Sequence, residues 1–350
     1  NGTAGASVPV AGDNVFIGEG STARTVTIPA GYSATCEILN IGNNATTIAG
    51  TLNFAASTST LLVSGNITMN GPSGLATSSI AVGAGALTVG GNVNFNNASA
   101  TVTNTNRIVQ LTISTGSATV DGNIIFNCVN ATLAAAQRIV FSGAGQLNIG
   151  GNILFQGVGS LGVITPSTGA VNFNGSDAVT IPIGVSSVTY NNLKINNTNT
   201  SGATLSAAIT ATNVTGNLLV GDENSGSLLN TNNLAITLAA SKTLTIAAGS
   251  TLNAGTSSIT FGTTGTATVN GVFKTADLDG FSGAATTSIN STNTPTISLG
   301  ANSVVEYTAT ATQIVTARSD YASVTLTGGS KTIAAGTVTL SKNLSINSGA

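Results

Sequence analysis

Residues that could perform acid–base chemistry are few in this chain of 350 residues. It contains eleven Asp and Glu residues, nine Lys and Arg residues and no histidine. Without histidine, neither a Ser-His-Asp nor a Cys-His catalytic arrangement can form. A glycosidase needs two carboxyl groups about 5–9 Å apart, and only Asp222-Glu223 and the pair Asp277 and Asp279 are clustered in sequence. The sequence therefore predicts that the chain is not an enzyme and has no catalytic residue.

The only candidates for metal ligands are weak ones, Asp277 and Asp279 in the segment DLDG. Their spacing is that of the first ligands of a calcium loop, but the remaining ligands of a twelve-residue EF-hand are missing. We therefore expect an exposed loop tip at this position. Asp222-Glu223 is expected to lie in an exposed bend, and no cofactor is predicted.

A Gly-Asn dipeptide recurs between two short runs of alternating apolar residues. In LTVGGNVNF, Leu87 and Val89 precede the dipeptide, and Val93 and Phe95 follow it. The last copy has Lys342 in place of glycine. The residues predicted to form corners of the fold are Gly65, Asn66, Gly91, Asn92, Gly122, Asn123, Gly151, Asn152, Gly216, Asn217 and Asn343.

This repeat predicts the fold class. Alternation with a period of two on both sides of each corner indicates two strands with one buried face each. Because glycine adopts a positive φ freely and asparagine tolerates it, we expect such a backbone conformation at the corner. The first four corner asparagines recur with a period typical of solenoids. The prediction is an all-β parallel β-solenoid, or β-helix, of about 13 coils of roughly 26–31 residues.

The composition agrees with stacked coils. Only 6% of the residues are charged, and in a solenoid each side chain lies on its counterpart about 4.8 Å away. Stacked like charges would repel, whereas stacked Asn, Thr and Ser can form hydrogen bonds. The net charge of −2 gives no basic surface for nucleic acid. No apolar run is long enough to span a membrane as a helix.

The whole chain, residues 1–350, is predicted to be one continuous solenoid, with its first coils in residues 1–40. Residues 170–222 and 304–349 share a longer repeat, in which Tyr190 corresponds to Tyr321. Cys36 and Cys128 would lie roughly three coils apart, or ~14 Å, which is beyond the Cα separation of about 7 Å that a disulfide allows. They are therefore expected to be two separate buried thiols.

The longer repeat has the pattern Y-x-x-L/V-x-I/L, then K-T/L, then N-L-x-I/V. Together with the opening segment VPVAGDNVFIGEGSTARTVTIPAG, it resembles the large repetitive β-strand-rich surface proteins and adhesins secreted by Bacteroidota. The resemblance covers most of the chain. It implies export with removal of a leader, an extracellular or cell-surface location, and a structural or adhesive role.

The function expected from the sequence is that of a cell-surface stalk, an adhesin shaft or a filament subunit. One expected partner is more solenoid of the same kind, added end to end by self-association or by continuation of the chain. Surface glycans or other cells are the other expected partners. The alternative is a carbohydrate-binding or carbohydrate-degrading β-helix, which would need acids, basic residues and aromatics aligned in a groove. Threonine pairs such as Thr243-Leu-Thr245 suggest an ice-binding face, but they do not recur at a constant offset, so β-propensity is the preferred explanation.

Overall fold

The computed structural model describes residues 8–19, 22–43, 48–72, 76–97, 107–128, 136–157, 162–185 and 187–347. These residues form short parallel strands and no helix, which confirms the predicted β-solenoid. Residues 1–7 and 20–21 of the predicted first coils, residue 186 of the first long repeat and residues 348–349 of the second lie outside the described residues.

The first eighteen strands are β1 (Asn14–Ile17), β2 (Arg24–Ile28), β3 (Ser33–Cys36), β4 (Ile38–Ile41), β5 (Gly50–Phe54), β6 (Thr60–Val63), β7 (Ile67–Asn70), β8 (Thr77–Gly83), β9 (Ala86–Val89), β10 (Val93–Asn97), β11 (Ile108–Ile113), β12 (Ser117–Val120), β13 (Ile124–Cys128), β14 (Gln137–Phe141), β15 (Gln146–Ile149), β16 (Ile153–Gly157), β17 (Val163–Thr165) and β18 (Ala170–Phe173). The others are β19 (Val179–Ile181), β20 (Ser187–Val188), β21 (Asn192–Ile195), β22 (Ala203–Leu205), β23 (Leu218–Val220), β24 (Leu228–Asn230), β25 (Ile236–Leu238), β26 (Thr243–Ile246), β27 (Thr251–Gly255), β28 (Ile259–Phe261), β29 (Thr266–Val269), β30 (Val272–Thr275), β31 (Thr296–Leu299), β32 (Val304–Tyr307), β33 (Gln313–Val315), β34 (Ser323–Leu326), β35 (Lys331–Ile333) and β36 (Leu344–Ile346).

The chain folds into two compact units. Unit 1 comprises residues 1–171 and 185–188, and unit 2 comprises residues 172–184 and 189–350. In unit 1 the strands form three parallel sheets, with the orders β1-β4-β7-β10-β13-β16, β2-β5-β8-β11-β14-β17-β20 and β3-β6-β9-β12-β15. Because strands three apart in sequence are neighbours, each turn of unit 1 contributes one strand to each sheet.

Unit 2 is less regular. Its longest sheet has the order β19-β22-β24-β27-β30-β32-β34-β36, and a second contains β21-β23-β26-β29-β31. Two small sheets, β25-β28 and β33-β35, complete the described part of this unit.

The solenoid has about ten turns, so the predicted count of 13 is too high. The prediction assumed a uniform coil, whereas the turns of unit 2 differ in length and strand number. Between β30 and β31 the chain runs through residues 276–295 without a named strand, and in this stretch Ile289 forms a single parallel bridge with Ile259 of β28. From β32 onwards the neighbours are two strands apart, in the orders β32-β34-β36 and β33-β35, so these turns lack a third strand.

Like residues stack upon like in the core of unit 1. In the third sheet Val63, Val89 and Val120 are consecutive partners in register, and all three are fully buried. In the first sheet Phe126 stacks between two other rings, at centroid distances of 4.9 Å from Phe95 and 5.5 Å from Phe155. The predicted alternation is confirmed: in most strands of unit 1, alternate residues point into this apolar core.

Both cysteines belong to unit 1 and are buried, and no disulfide joins them. Burial raises the pKa of the Cys36 thiol, which keeps it protonated and unreactive at neutral pH. They therefore serve as small apolar side chains, as the coil spacing predicts.

Truncating the middle ring of the stack tests this packing. We expect Phe126→Ala to destabilise unit 1 by about 3–5 kcal/mol, because it leaves a cavity between two aromatic neighbours. Amide hydrogen exchange of β10, β13 and β16 in the full chain measures the loss. Phe16→Ala is the matched control, since Phe16 is 52% exposed, and equal effects of the two variants would contradict the stacked core.

Candidate functional site

The predicted corner residues of unit 1 line up in one column, called here the corner column: Gly65-Asn66, Gly91-Asn92, Gly122-Asn123 and Gly151-Asn152. The side-chain oxygen of each of the first three asparagines accepts a hydrogen bond from the backbone N–H of the asparagine in the next layer. The distance is 2.7 Å at all three steps, from Asn66 to Asn152. The glycines are bonded as well, since the N–H of Gly122 donates to the carbonyl of Gly91 at 3.1 Å. Each layer of the column is thus tied to the next through both backbone and side chain.

The reason for glycine differs from the prediction. Positive φ values in the described residues occur elsewhere, and none of the predicted corner residues has one. What requires glycine is the close approach of neighbouring layers. A Cβ on Gly122 would lie 2.6 Å from Asn92 Oδ1 and 2.7 Å from the carbonyl oxygen of Gly91. The expectation of a positive φ at the corner was therefore wrong.

The two later corners do not belong to this column. In unit 1 the corner asparagines precede strands of the first sheet, whereas Asn217 and Asn343 precede β23 and β36, which lie in different sheets of unit 2. Asn217 repeats the bonding pattern locally, because its N–H donates to Asn192 Oδ1 at 3.1 Å and its Oδ1 accepts from Thr243 N–H at 2.9 Å. Beside it, a Cβ on Gly216 would lie 2.6 Å from the carbonyl oxygen of Asn191. Asn343 is exposed, and its carbonyl accepts the N–H of Val324.

The acidic pair Asp222-Glu223 is held in a polar network of unit 2. Lys194 Nζ lies 2.8 Å from an oxygen of Asp222 and 2.6 Å from one of Glu223. Asn196, which is fully buried, donates to Asp222 Oδ1 at 3.0 Å and accepts the N–H of Glu223 at 2.9 Å. Asp222 and Glu223 lie in an exposed bend, as predicted, and these contacts anchor the bend on one side.

The charge of Lys194 is stabilised by this arrangement. Burial by itself would lower the pKa of Lys194, but the hydrogen bonds and charges of Asp222 and Glu223 outweigh it and raise the pKa. The ammonium group of Lys194 holds both carboxylates in place, as expected for an ion pair with a structural role. A fixed pair of this kind stabilises the bend that joins neighbouring turns.

The candidate ligands Asp277 and Asp279 lie in the long loop of residues 276–295. Asp277 accepts the N–H of Asp279 at 3.0 Å, which is the bond that closes an Asx turn. Burial raises the pKa of Asp277, although the hydrogen bond from Asp279 opposes it. In the part of the chain that the structure describes, no three His, Cys, Asp or Glu residues are grouped to hold a metal ion.

A cleft of about 370 Å³ lies beside this loop, lined by polar residues such as Asp279 and Ser282 and by small residues such as Ala317. Arg318 borders it. Its guanidinium group bonds both carboxylate oxygens of Asp320, at 2.8 and 2.6 Å, and donates to Ser282 Oγ at 3.1 Å. The same group lies 5.8 Å from the ring centroid of Phe281. The cleft has hydroxyl and carboxylate groups that a sugar could contact.

Three buried tyrosines of unit 2 satisfy their hydroxyl groups internally. The hydroxyls of Tyr307 and Tyr321 lie 2.7 Å apart, and the hydroxyl of Tyr321 also donates to the carbonyl of Thr316 at 3.1 Å. Tyr190 donates to the carbonyl of Pro182 at 3.1 Å. Burial is the main cause that raises the pKa of all three hydroxyls, so the folded chain keeps them neutral.

The structure also brings together threonines that the sequence did not align. Thr243 is the register partner of Thr266, which in turn pairs with Thr296. Thr266 and Thr296 are farther apart in sequence than Thr243 and Thr266, because the loop of residues 276–295 lies between Thr266 and Thr296. This threonine column therefore has no constant sequence offset and becomes visible only in the paired strands.

No protein-family model, curated protein or solved structure matches this chain. Among the described residues there is no helix with the length and apolar character that crossing a membrane requires.

The close approach at the corner column can be tested by adding one methyl group. We expect Gly122→Ala to destabilise unit 1 by about 1–3 kcal/mol, because the new Cβ overlaps the layer below. Urea unfolding followed by circular dichroism measures the change. Gly12→Ala is the control, since a Cβ there meets no atom within 4 Å, and it should be neutral or stabilising by up to about 1 kcal/mol. A stable Gly122→Ala would disprove the steric account.

The buried tyrosines predict sensitivity to alkali. Unfolded tyrosine ionises near pH 10, whereas the folded pKa is raised, so the stability is fully present below pH 10 and is lost as the pH rises above it. Each buried tyrosine should contribute a fall of about 1.4 kcal/mol per pH unit. In Tyr190→Phe the slope of unfolding free energy against pH should be smaller by this amount. Identical slopes in wild type and Tyr190→Phe would refute the prediction.

Proposed function

We propose that this chain is an extracellular structural protein that serves as a cell-surface stalk, an adhesin shaft or a filament subunit. The observation that carries the proposal is the corner column, with its 2.7 Å hydrogen bond from each layer to the next. These side-chain hydrogen bonds reinforce the backbone hydrogen bonds between the parallel strands of three sheets. An element that only had to present a binding loop would not need four successive layers tied in this way.

The packing suits resistance to mechanical load. Each inner layer is bonded to two neighbours, so it can separate only if several ladders break together. The core adds contacts in the same direction, because Phe126 stacks on the rings of both adjacent layers. This cooperation between layers supports a load-bearing role.

The proposed location and partners rest on the sequence. The chain resembles secreted surface proteins of Bacteroidota, and its low charge leaves a surface of Asn, Thr and Ser that suits contact with glycans or other cells. The enzyme alternative has one supporting feature, the cleft that Asp279 and Ser282 help to line, but most of its lining surface is apolar. The two acids of the better-defined pair, Asp222 and Glu223, are instead bound to one lysine. We therefore favour the structural role.

Pulling single molecules tests the proposal. With the full chain tethered at both ends, we expect stepwise extension, each step releasing one turn, or roughly 60–110 Å of chain. The range follows from the register partners of adjacent turns, which lie between 19 residues (Val304 and Ser323) and 32 residues (Val272 and Val304) apart. Asn92→Ala should lower the force of the steps from unit 1, because it removes the acceptor for Asn123. Asn94→Ala is the matched control, since the Asn94 side chain makes only a 3.4 Å contact to the Ile67 carbonyl.

Two results would count against the shaft. One is a single unfolding event whose force is the same in wild type and Asn92→Ala. The other is binding on an oligosaccharide array that Asp279→Ala abolishes, which would favour the carbohydrate alternative. The location is checked separately by antibody labelling of intact cells that produce the protein, and labelling only after permeabilisation would contradict it.

A further inference from the structure

Unit 1 contains a buried arginine without a partner for two of its nitrogens. Arg107, directly before β11, is only 2% exposed. Its Nε and Nη1 atoms are buried and have no hydrogen-bond partner. Three nearby side chains also bury an unpaired oxygen, namely Ser78 Oγ, Asn97 Oδ1 and Gln137 Oε1. These four residues, called here the Arg107 corner, hold most of the buried unpaired side-chain atoms of the described residues.

The strand register brings these residues together. Val109, two residues after Arg107, pairs with Ser78 on one side and with Gln137 on the other. The Asn97 side chain lies against the Arg107 backbone, with its Nδ2 atom 3.4 Å from the Arg107 carbonyl oxygen. The Gln137 amide is held in one orientation, because its Nε2 donates to the carbonyls of Phe95 and Asn127. Its unpaired Oε1 is therefore a fixed feature of the corner.

No acidic residue of unit 1 neutralises this guanidinium group. The acids of this unit are Asp13, Glu19, Glu37 and Asp121, and each is exposed. All charged residues of the chain lie among the described residues, and in that part every ion pair is found in unit 2. A permanently charged group that is buried without a counter-charge is unfavourable unless something else supplies one.

We propose that the Arg107 corner binds a small inorganic anion of about the size of chloride. The anion accepts hydrogen bonds from Arg107 Nε and Nη1 and compensates the charge. The unpaired oxygens of Asn97 and Gln137 accept hydrogen bonds from water that hydrates the anion. Because Arg107 is only 2% exposed, the corner excludes a large organic anion. This site is independent of the load-bearing function proposed above.

Solution stability gives the first test. At constant ionic strength, replacing gluconate by chloride should raise the Tm of the full chain by about 2–4 °C. In Arg107→Met this dependence should vanish, and the variant should be at least as stable as wild type in gluconate, because an apolar side chain needs no counter-ion. Arg24→Met removes an exposed arginine of the same unit and should keep the wild-type dependence. If Arg107→Met retains the chloride effect, or loses stability equally in both salts, the proposal is overturned.

Crystals of the wild-type chain grown in bromide give a second test that needs no variant. An anomalous peak within hydrogen-bonding reach of the Arg107 guanidinium nitrogens is the expected result. A density without anomalous signal would identify water only, and would overturn the proposal. A bromide peak without any chloride dependence of the Tm would mean an adventitious ion only, which overturns it as well.

Discussion

Each layer of this protein must match the layer beneath it at one strand spacing, about 4.8 Å, and this constraint decides which residues can occupy each position. It is most severe at the corner column, where backbones approach so closely that a single Cβ on Gly122 would overlap two oxygen atoms. The neighbouring asparagine then uses its short amide to reach the next layer. Glycine has no side chain, so the backbones of neighbouring layers can approach closely. This close approach allows the short asparagine side chain to accept a hydrogen bond from the next layer.

The same constraint governs charge. Like charges stacked in one column would repel each other at every step. Charged residues are therefore tolerated where the neighbouring layer supplies the opposite charge. Lys274 and Glu306 are direct register partners and form an ion pair at 3.0 Å. Lys194 sits between two carboxylates from a later turn. Arg107 has no such partner: the side chains of Ser78, Asn97 and Gln137 in its corner are uncharged, and the acids of unit 1 are exposed.

The sequence predicts the features that depend on neighbours along the chain. Alternation of apolar residues around Asn92 is enough to place two strands and a corner, and low charge is enough to favour stacking. The fold cannot be predicted from the sequence where the turns vary in length. Loops absorb insertions without disturbing the ladder, so the stacking of Thr243 on Thr266 and Thr296 is hidden by unequal offsets. For the same reason Asn217 and Asn343 look equivalent to Asn92 although they lie in other sheets. The Arg107 corner is invisible in sequence, since only the packing of distant strands shows that its nitrogens are unpaired.

The repetition of similar layers also creates a problem, which is solved by residues that differ from layer to layer. If all layers were identical, the ladder could slip by one turn and still bury its apolar columns, because Val63, Val89 and Val120 are interchangeable. Residues that occur once make such slips costly. Moving β30 by one layer would place Lys274 beside Thr325 instead of Glu306, and the ion pair would be lost. The uniform columns therefore give the solenoid its cohesion, while single polar contacts such as this one define which layers are neighbours.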